Sequence, residues 1–346
     1  MRVKVHFGTN RNPTIDDATG KVVGFGDDLG PVGGLSVRFG SIDFDVTLSK
    51  PEGSDATRAI VPGTFNVAEE KLEGDDQQFG SKEVFDALRT GMKDNQRDLL
   101  VYIHGFWNGF ENAVGNAAEI TAFYGNIMDV FAFSWPASSS TLPTPWATYV
   151  HDRRTAEASG TAMARTILIL EEYLQALQKE NWCKQNIHLL CHSMGNYAMH
   201  YCVQELVRLR KDGIGRLFDN IILAAADEDT DALSNGSKMQ ALPLMGNRVV
   251  VYSTARDVAL NDLSRFTKLN GDRLGSSGPD NMAPISDKVA AVDVSDVLHS
   301  DSDHTNHQYY RINPAVRDDI VNILKGVPDH AIVGRRNLGN GRYVLI

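Results

Sequence analysis

Three cysteines in 346 residues, Cys183, Cys191 and Cys202, are too few and odd in number for a disulfide framework. Two of them fall in buried-looking elements, so reduced thiols are expected. Long apolar runs are also missing. None approaches the roughly 20 residues of a membrane helix, and no transmembrane segment is expected. The opening Met1-Arg-Val-Lys-Val-His-Phe-Gly-Thr-Asn-Arg11 lacks the apolar core and small-residue cleavage site of a signal peptide, so it reads as a first strand and predicts a cytoplasmic protein. Basic charge is short as well: 34 Lys and Arg against 44 Asp and Glu give a net charge of −10, which disfavours a nucleic-acid partner and argues weakly against anionic lipid surfaces. No internal repeat or low-complexity tract stands out. What remains, 42% hydrophobic and 23% charged residues, suits a globular chain with a sizeable core. The length admits two average domains, but α/β folds often run past 250 residues as one unit.

The most informative stretch is Asn186-Ile-His-Leu-Leu-Cys-His-Ser-Met-Gly-Asn196. Ile187, Leu189 and Leu190 suit a buried strand. Beyond Ser193, Ala198, Met199, Cys202, Val203, Leu206 and Leu209 recur at helical spacing, and Arg208, Arg210, Lys211 and Gly213 close the helix. Strand, tight turn and helix around a serine are the context of the nucleophile elbow G-x-S-x-G. Here Gly195 fills the second glycine position, while Cys191, small but not glycine, occupies the first.

Before this stretch, residues 1–95 look β-rich: Val3 to Phe7 and Gly34 to Leu48 alternate, Ser81 is a plausible N-cap of a short helix, and Thr9-Asn10-Arg11 is placed to pin the segment onto a main sheet. From Asp98, strand and amphipathic helix alternate regularly. Leu99–Ile103, Val130–Trp135, Ile221–Ala226, Arg248–Ser253 and Val289–Val294 read as strands, with helices over Asn112–Tyr124, around Met163 to Leu177, and from Asn313 to Gly326. Breakers make 137–150 irregular, and 261–288 a surface excursion with one short helix. The last residues, 329–346, form a β-like tail with a hairpin signal at Asn340-Gly341. The rhythm predicts a mostly parallel sheet with helices on both faces over residues 96–328, preceded by a β-rich extension packed on it.

A serine hydroxyl is a weak nucleophile and needs a base, an orienter for that base, and donors for the oxyanion. His299, His304 and His307 share a loop after the last strand, and His307, immediately before Gln308-Tyr309-Tyr310 and the final helix, is the first choice as base. Asp257, a few residues past the strand Val249-Val-Val-Tyr252, is preferred as the acid over Asp227. His192 is a poor base because adjacent side chains at an elbow diverge, and His104, His188 and His200 read as structural. Oxyanion donors are expected from the N–H of Met194 and from the His104-Gly105-Phe106-Trp107 turn, at Phe106. Trp107, Trp146 and Tyr149, together with Trp135, suggest an apolar acyl or aryl pocket, although aromatics near strand ends are more often core.

Taken together, Val101-Tyr-Ile-His-Gly-Phe106, Phe133-Ser-Trp-Pro136, Asp152-Arg153, Leu190-Cys-His-Ser-Met-Gly195, Leu223-Ala-Ala-Ala-Asp227, Tyr252 to Leu260 with Arg256-Asp257, and His307-Gln-Tyr-Tyr310 before Asn313-Pro314 resemble the α/β-hydrolase superfamily. Within it the chain resembles a bacterial family of unknown function, catalogued as domain of unknown function nine hundred, from about Leu99 to Leu324. The resemblance implies an α/β-hydrolase fold and a serine hydrolase of the lipase and esterase type, with Ser193, Asp257 and His307 as its triad and no metal or organic cofactor. It names no substrate.

Two function classes compete with a carboxylic-ester hydrolase acting on a small ester or acyl substrate. Metal binding is motivated by His299, Asp301, Asp303, His304 and His307 and by Asp227, Glu228, Asp229 and Asp231, although these lack a helical His pair such as H-E-x-x-H. A non-catalytic scaffold on the same fold is the other. Thioester and amide cleavage use the same machinery as ester cleavage and are not separated by sequence.

Overall fold

Along one central strand, Leu99, Val101 and Ile103 enter one apolar cluster while Leu100 and Tyr102 enter another, so the sheet is covered on both faces. The computed structural model describes all residues except 49–55, 70–77, 141–143, 178–182, 268–271 and 299–303. Its first part contains β1 (Arg2–Thr9), β2 (Arg11–Ile15), β3 (Val22–Leu29), a one-turn α1 (Pro31–Gly34), β4 (Arg38–Leu48), β5 (Ala56–Ile60), β6 (Asn66–Val67) and α2 (Gly80–Asn95). The repeating part follows with β7 (Asp98–Ile103), α3 (Phe110–Phe123), β8 (Met128–Ser134), α4 (Pro145–Ala176), β9 (Ile187–His192), α5 (Met194–Leu209), β10 (Phe218–Ala224), β11 (Gly246–Ser253), α6 (Val258–Thr267), α7 (Leu274–Ser277) and β12 (Val289–Asp293). The chain ends with α8 (Tyr309–Ile312), α9 (Pro314–Leu324), β13 (Arg335–Gly339) and β14 (Arg342–Leu345).

Twelve of these strands make a sheet in the order β13-β14-β12-β11-β10-β9-β7-β8-β1-β4-β5, with β6 on β4, and β2 and β3 form a separate two-stranded sheet. From β12 through to β1, every neighbouring pair is parallel. The chain runs from β7 to β8 on one side and then crosses back to β9 on the other, so the carboxyl ends of β7 and β9 flank a topological switch point. Crevices at such points bind ligands in open α/β sheets. One face of the sheet packs against α2, α4 and α5 through residues such as Phe85, Met163 and Met199, and the other against α3 and α9 through Val114, Ile120 and Ile320. Leu189 and Leu190 of β9 are fully buried on opposite faces, each contributing about 2 kcal/mol of apolar transfer.

Within the N-terminal segment, β1 pairs parallel with β8 and antiparallel with β4, which carries β5 and β6, whereas β2 and β3 pair only with each other. The segment's pins are Thr9 Oγ1, which donates to Ser134 O at 2.7 Å, and Arg11, whose buried guanidinium donates to Ser134 Oγ at 2.8 Å, Ala137 O at 3.0 Å and Asn108 O at 2.6 Å. The tail joins likewise, β14 running parallel to β12 and pairing antiparallel with β13.

Three expected boundaries move. Ser81 lies inside α2, which starts at Gly80 after Phe79, so it is no N-cap. The stretch expected to be irregular from 137 to 150 contains the start of the 32-residue α4: Thr144 caps it by accepting from Ala147 N, and Pro145 sits at N1, where its missing N–H costs nothing. The excursion at 261–288 begins within α6 and also carries α7. Helix α4 crosses α5 closely at Gly160, where a Cβ would stand 2.5 Å from Tyr201 Cβ.

Candidate active site

Ser193 sits between β9 and α5 with φ 52° and ψ −125°, a conformation L-residues avoid. Such strain costs about 1–3 kcal/mol and persists only where the surroundings over-determine it. Here Ser193 N–H donates to Ala224 O at 3.0 Å, and Ser193 O accepts from Asn196 N at 3.0 Å, Asn196 Nδ2 at 3.0 Å and Asp227 N at 3.2 Å. Gly195 is needed because a Cβ there would lie 2.5 Å from His104 O and 2.7 Å from Ile103 O, where α5 passes the end of β7. Cys191 is fully buried in β9 between Ile103 and Leu223, and the elbow keeps its geometry without a glycine at that position.

Across the cleft, His307 Nδ1 lies 2.7 Å from Asp257 Oδ2. Asp257 is fully buried, and its other oxygen accepts the Leu260 N–H at 2.9 Å, so the carboxylate is fixed on both sides. The histidine loop is tied to the same place: Val258 N–H donates to Thr305 O at 2.8 Å, and Arg256 Nη1 to Leu298 O at 2.7 Å. Tyr309, two residues on and buried, accepts from Ala225 N at 2.8 Å and donates to Tyr252 O at 2.9 Å, bridging the ends of β10 and β11. His304 is exposed on the approach to this loop, whereas His299 lies outside the described residues. Asp227 turns elsewhere. It accepts from Tyr149 Oη at 2.9 Å and pairs with Arg153 at 3.6 Å and Arg273 at 3.4 Å.

The turn after β7 is locked from three directions. Asn108 Nδ2 donates to Gly105 O at 3.2 Å and to Phe106 O at 2.8 Å, while Trp107, with φ 57°, donates its N–H to buried Asp152 Oδ2 at 3.3 Å. In a trans peptide the carbonyl and the following N–H point opposite ways, so holding Gly105 O toward Asn108 aims the Phe106 N–H away from it. Gly105 itself abuts the serine: a Cβ would stand 2.7 Å from Ser193 Cβ. Met194 is the first residue of α5, where N–H groups lack intrahelical partners and the helix dipole favours negative charge. Gly105 and Met194, from the two turns expected to supply donors, thus adjoin Ser193.

Ser193, His307, His192, Phe106, Trp107, Asn108, Asn112, Asn116, Glu119, Gln308, Arg58 and Arg311 line one cleft of about 1030 Å³. Trp107, 52% exposed, lines this cleft. Tyr149 does not: it is buried behind Phe106, ring centroids 5.8 Å apart, and its hydroxyl is committed to Asp227. Trp146 stacks on Tyr149 at 5.8 Å and is not among the residues lining this cleft, and Trp135 is core, stacked on His104. His192 Nε2 lies 3.1 Å from His307 O, its ring between His307 and Tyr310, and burial holds its pKa well below the usual histidine range. His104 is likewise pushed down to about 3 by burial. His188 meets Asp98 and Asn220, and His200 meets Glu228.

The acidic run past β10 is taken up by cations of the chain: Lys238 binds Asp229 and Asp231, and Arg273 binds Asp229 at 3.0 Å. Among the described residues no group of three or more His, Cys, Asp or Glu converges as a metal site; Asp301 and Asp303 lie outside them. Residues the sequence reading passed over include Asn108, Asn116, Glu119, Arg58 and Arg311. Glu119 carried one available signal, a carboxylate set inside the run Ala117-Ala118-Glu119-Ile120 of α3.

A family model described as alpha/beta hydrolase of unknown function (DUF900) matches residues 81–325. The chain belongs to this family. Strands β1 to β6, Arg58 among them, and β13 and β14 lie outside the matched residues. A search of curated proteins finds no match. Among solved structures, an extracellular alpha/beta-hydrolase from a Paenibacillus species is similar at 12% identity, covering 57% of this chain and 77% of that one, with a TM-score of 0.24, too low to carry an argument. Among the described residues no helix is long and apolar enough to cross a membrane.

Proposed function

We propose that the protein is a serine hydrolase that cleaves carboxylic esters through an acyl-enzyme on Ser193, with His307 as base and Asp257 as its orienter. The observation that carries this reading is the His307 Nδ1 to Asp257 Oδ2 contact of 2.7 Å, made by a fully buried carboxylate, in the cleft that holds a strained serine. With Nδ1 engaged by the carboxylate, the imidazole presents Nε2 as the basic atom. Ser193 Oγ forms a bond to the ester carbon as its proton passes to His307 Nε2. The carbonyl oxygen gains negative charge against the N–H groups of Met194 and Phe106, each worth about 3 kcal/mol in comparable sites. The bond to the alkoxy group then breaks, and His307 returns the proton to the departing alcohol. A water gives a proton to His307 as its oxygen bonds to the acyl carbon; the bond to Ser193 Oγ then breaks, His307 returns the proton to Oγ, and the acid is released.

Thioesters and amides pass through the same steps with a different leaving group. Turnover of a panel of p-nitrophenyl esters, thioesters and amides by the wild-type protein and Ser193→Ala tests both the mechanism and the leaving group. Ester turnover that needs Ser193 supports the proposal, and turnover unaffected by Ser193→Ala refutes it.

A further inference from the structure

Two arginines and one carboxylate face the same cleft as Ser193 and His307. Arg58 comes from β5 at the sheet edge and Arg311 from α8; between them stands Glu119 of α3, buried at 6% exposure. Glu119 Oε1 accepts from Arg58 Nη1 at 2.6 Å and Oε2 from Arg311 Nη1 at 2.7 Å. One carboxylate therefore holds two guanidiniums. Among the described residues, and with histidines neutral, the ionised groups lining the cleft are Arg58, Arg311 and Glu119, an excess of one positive charge among these three.

We infer that this charge is a substrate subsite: the hydrolase acts on esters carrying one negative charge, a carboxylate or a similar monoanionic group, seated against Arg58. The inference rests on the serine-hydrolase reading above and adds the substrate class. Two further observations mark the subsite as built. The Arg58 side chain lies directly on α3 where that helix has Gly115; a Cβ there would stand 2.2 Å from Arg58 Nε, so any other residue would displace the guanidinium. Arg58 is also oriented by Asn116 Oδ1 at 2.9 Å and Asn112 Oδ1 at 2.9 Å. Of the five N–H donors of a guanidinium, these and Glu119 take three. Two remain among the described residues, a fork suited to a carboxylate.

The subsite is also wired to the candidate oxyanion turn, since Asn116 Nδ2 donates to Asn108 Oδ1 at 2.9 Å and Asn108 holds the Gly105 and Phe106 carbonyls. With side chains only 20% and 24% exposed, Arg58 and Arg311 are partly shielded, which strengthens their attraction for an anion. A purely aliphatic acyl chain laid on them would remove their remaining water without replacing it, which is unfavourable.

The test compares kcat/KM for p-nitrophenyl hydrogen glutarate with that for p-nitrophenyl pentanoate, which has the same chain length and no charge. Wild-type protein is expected to prefer the anionic ester by about tenfold or more. Raised salt should shrink that ratio. Arg58→Gln should collapse it toward unity, chiefly through KM, and Arg58→Lys should retain part of it. Equal rates, a preference for the neutral ester, or a ratio unmoved by Arg58→Gln would overturn the subsite while leaving the Ser193 mechanism standing. If neither ester turns over and Ser193 resists a fluorophosphonate, the mechanism fails instead. Calorimetric titration of monomethyl glutarate into the wild-type and Arg58→Gln proteins then decides the subsite alone: binding that depends on Arg58 supports it, and no binding overturns it.

Discussion

Asp257 Oδ2 and His307 Nδ1 stand 2.7 Å apart, joined across fifty residues of chain, with the carboxylate fully buried and its second oxygen held by Leu260 N–H. A buried carboxylate on one imidazole nitrogen fixes the tautomer. Asp257→Asn keeps the size of the side chain but presents the wrong partner, so kcat should fall by about 10⁴-fold with circular dichroism unchanged. Steady-state kinetics on the folded variant measures this, and a loss below tenfold would remove Asp257 from the mechanism.

Asp227→Asn should behave in the opposite way. Asp227 is bound to Tyr149 and paired with Arg153 and Arg273, and taking the charge from a buried pair leaves its partners uncompensated. The unfolding free energy should drop by about 3 kcal/mol, while kcat per folded molecule falls less than tenfold. Urea denaturation read beside kinetics separates the two effects. A large fall in kcat with unchanged stability would make Asp227 the acid.

Gly105→Ala tests the close approach of the two turns. The new Cβ would stand 2.7 Å from Ser193 Cβ and 3.0 Å from His192 O, so the serine or the 104–107 turn must move. Overpacking of this kind costs about 1–3 kcal/mol in stability. Misplacement of the serine should cost about a hundredfold in kcat/KM. Wild-type kinetics in this variant would show that the 104–107 turn does not act with Ser193.

Acid should weaken the fold before the carboxylates titrate. Burial holds His6 at about 4, His104 at about 3 and His192 well below its ordinary value. Each folded pKa is depressed below the unfolded value of about 6.5, so the unfolded chain binds more protons and stability rises with pH. The contribution is complete above about pH 6.5 and is lost progressively as pH falls toward the folded values. Urea midpoints should therefore decline from pH 7 to pH 5. A flat or rising midpoint over that interval would contradict the burial of these imidazoles.

The sequence carried the serine clearly, because a buried strand, a small-residue turn and a helix write themselves locally in Ile187 to Leu209. His307 and Asp257 were reachable through chain order, each lying just beyond an apolar strand, although nothing local distinguishes His307 from His304. In the structure His307 meets Asp257 beside the anchored Tyr309, while His304 is exposed. Tyr149 was misplaced because an aromatic beside breakers reads as a pocket wall, whereas its hydroxyl is spent on a buried aspartate. Pro145 misled for a related reason: proline breaks a helix interior but starts a helix at N1.

What was not legible depends on contacts distant in sequence. Arg58 belongs to an edge strand, and nothing near it in the chain announces that it lies across Gly115 of α3. Arg11 is expected to help pin the first segment onto the sheet, but its partners, the carbonyls of Asn108 and Ala137, lie about a hundred residues away and are not announced locally. Likewise, β1 and β14 join the sheet at positions set by pairing with β8 and β12 and not by local pattern.

The central claim is that Ser193 is the activated nucleophile, and covalent labelling tests it most directly. A fluorophosphonate incubated with the wild-type protein and followed by intact mass and peptide mapping should give one adduct, on the peptide containing Ser193, with His307→Ala slowing its formation by orders of magnitude and Ser193→Ala abolishing it. An adduct mapped to another residue, or ester turnover persisting in Ser193→Ala with no adduct in the wild type, would contradict the account.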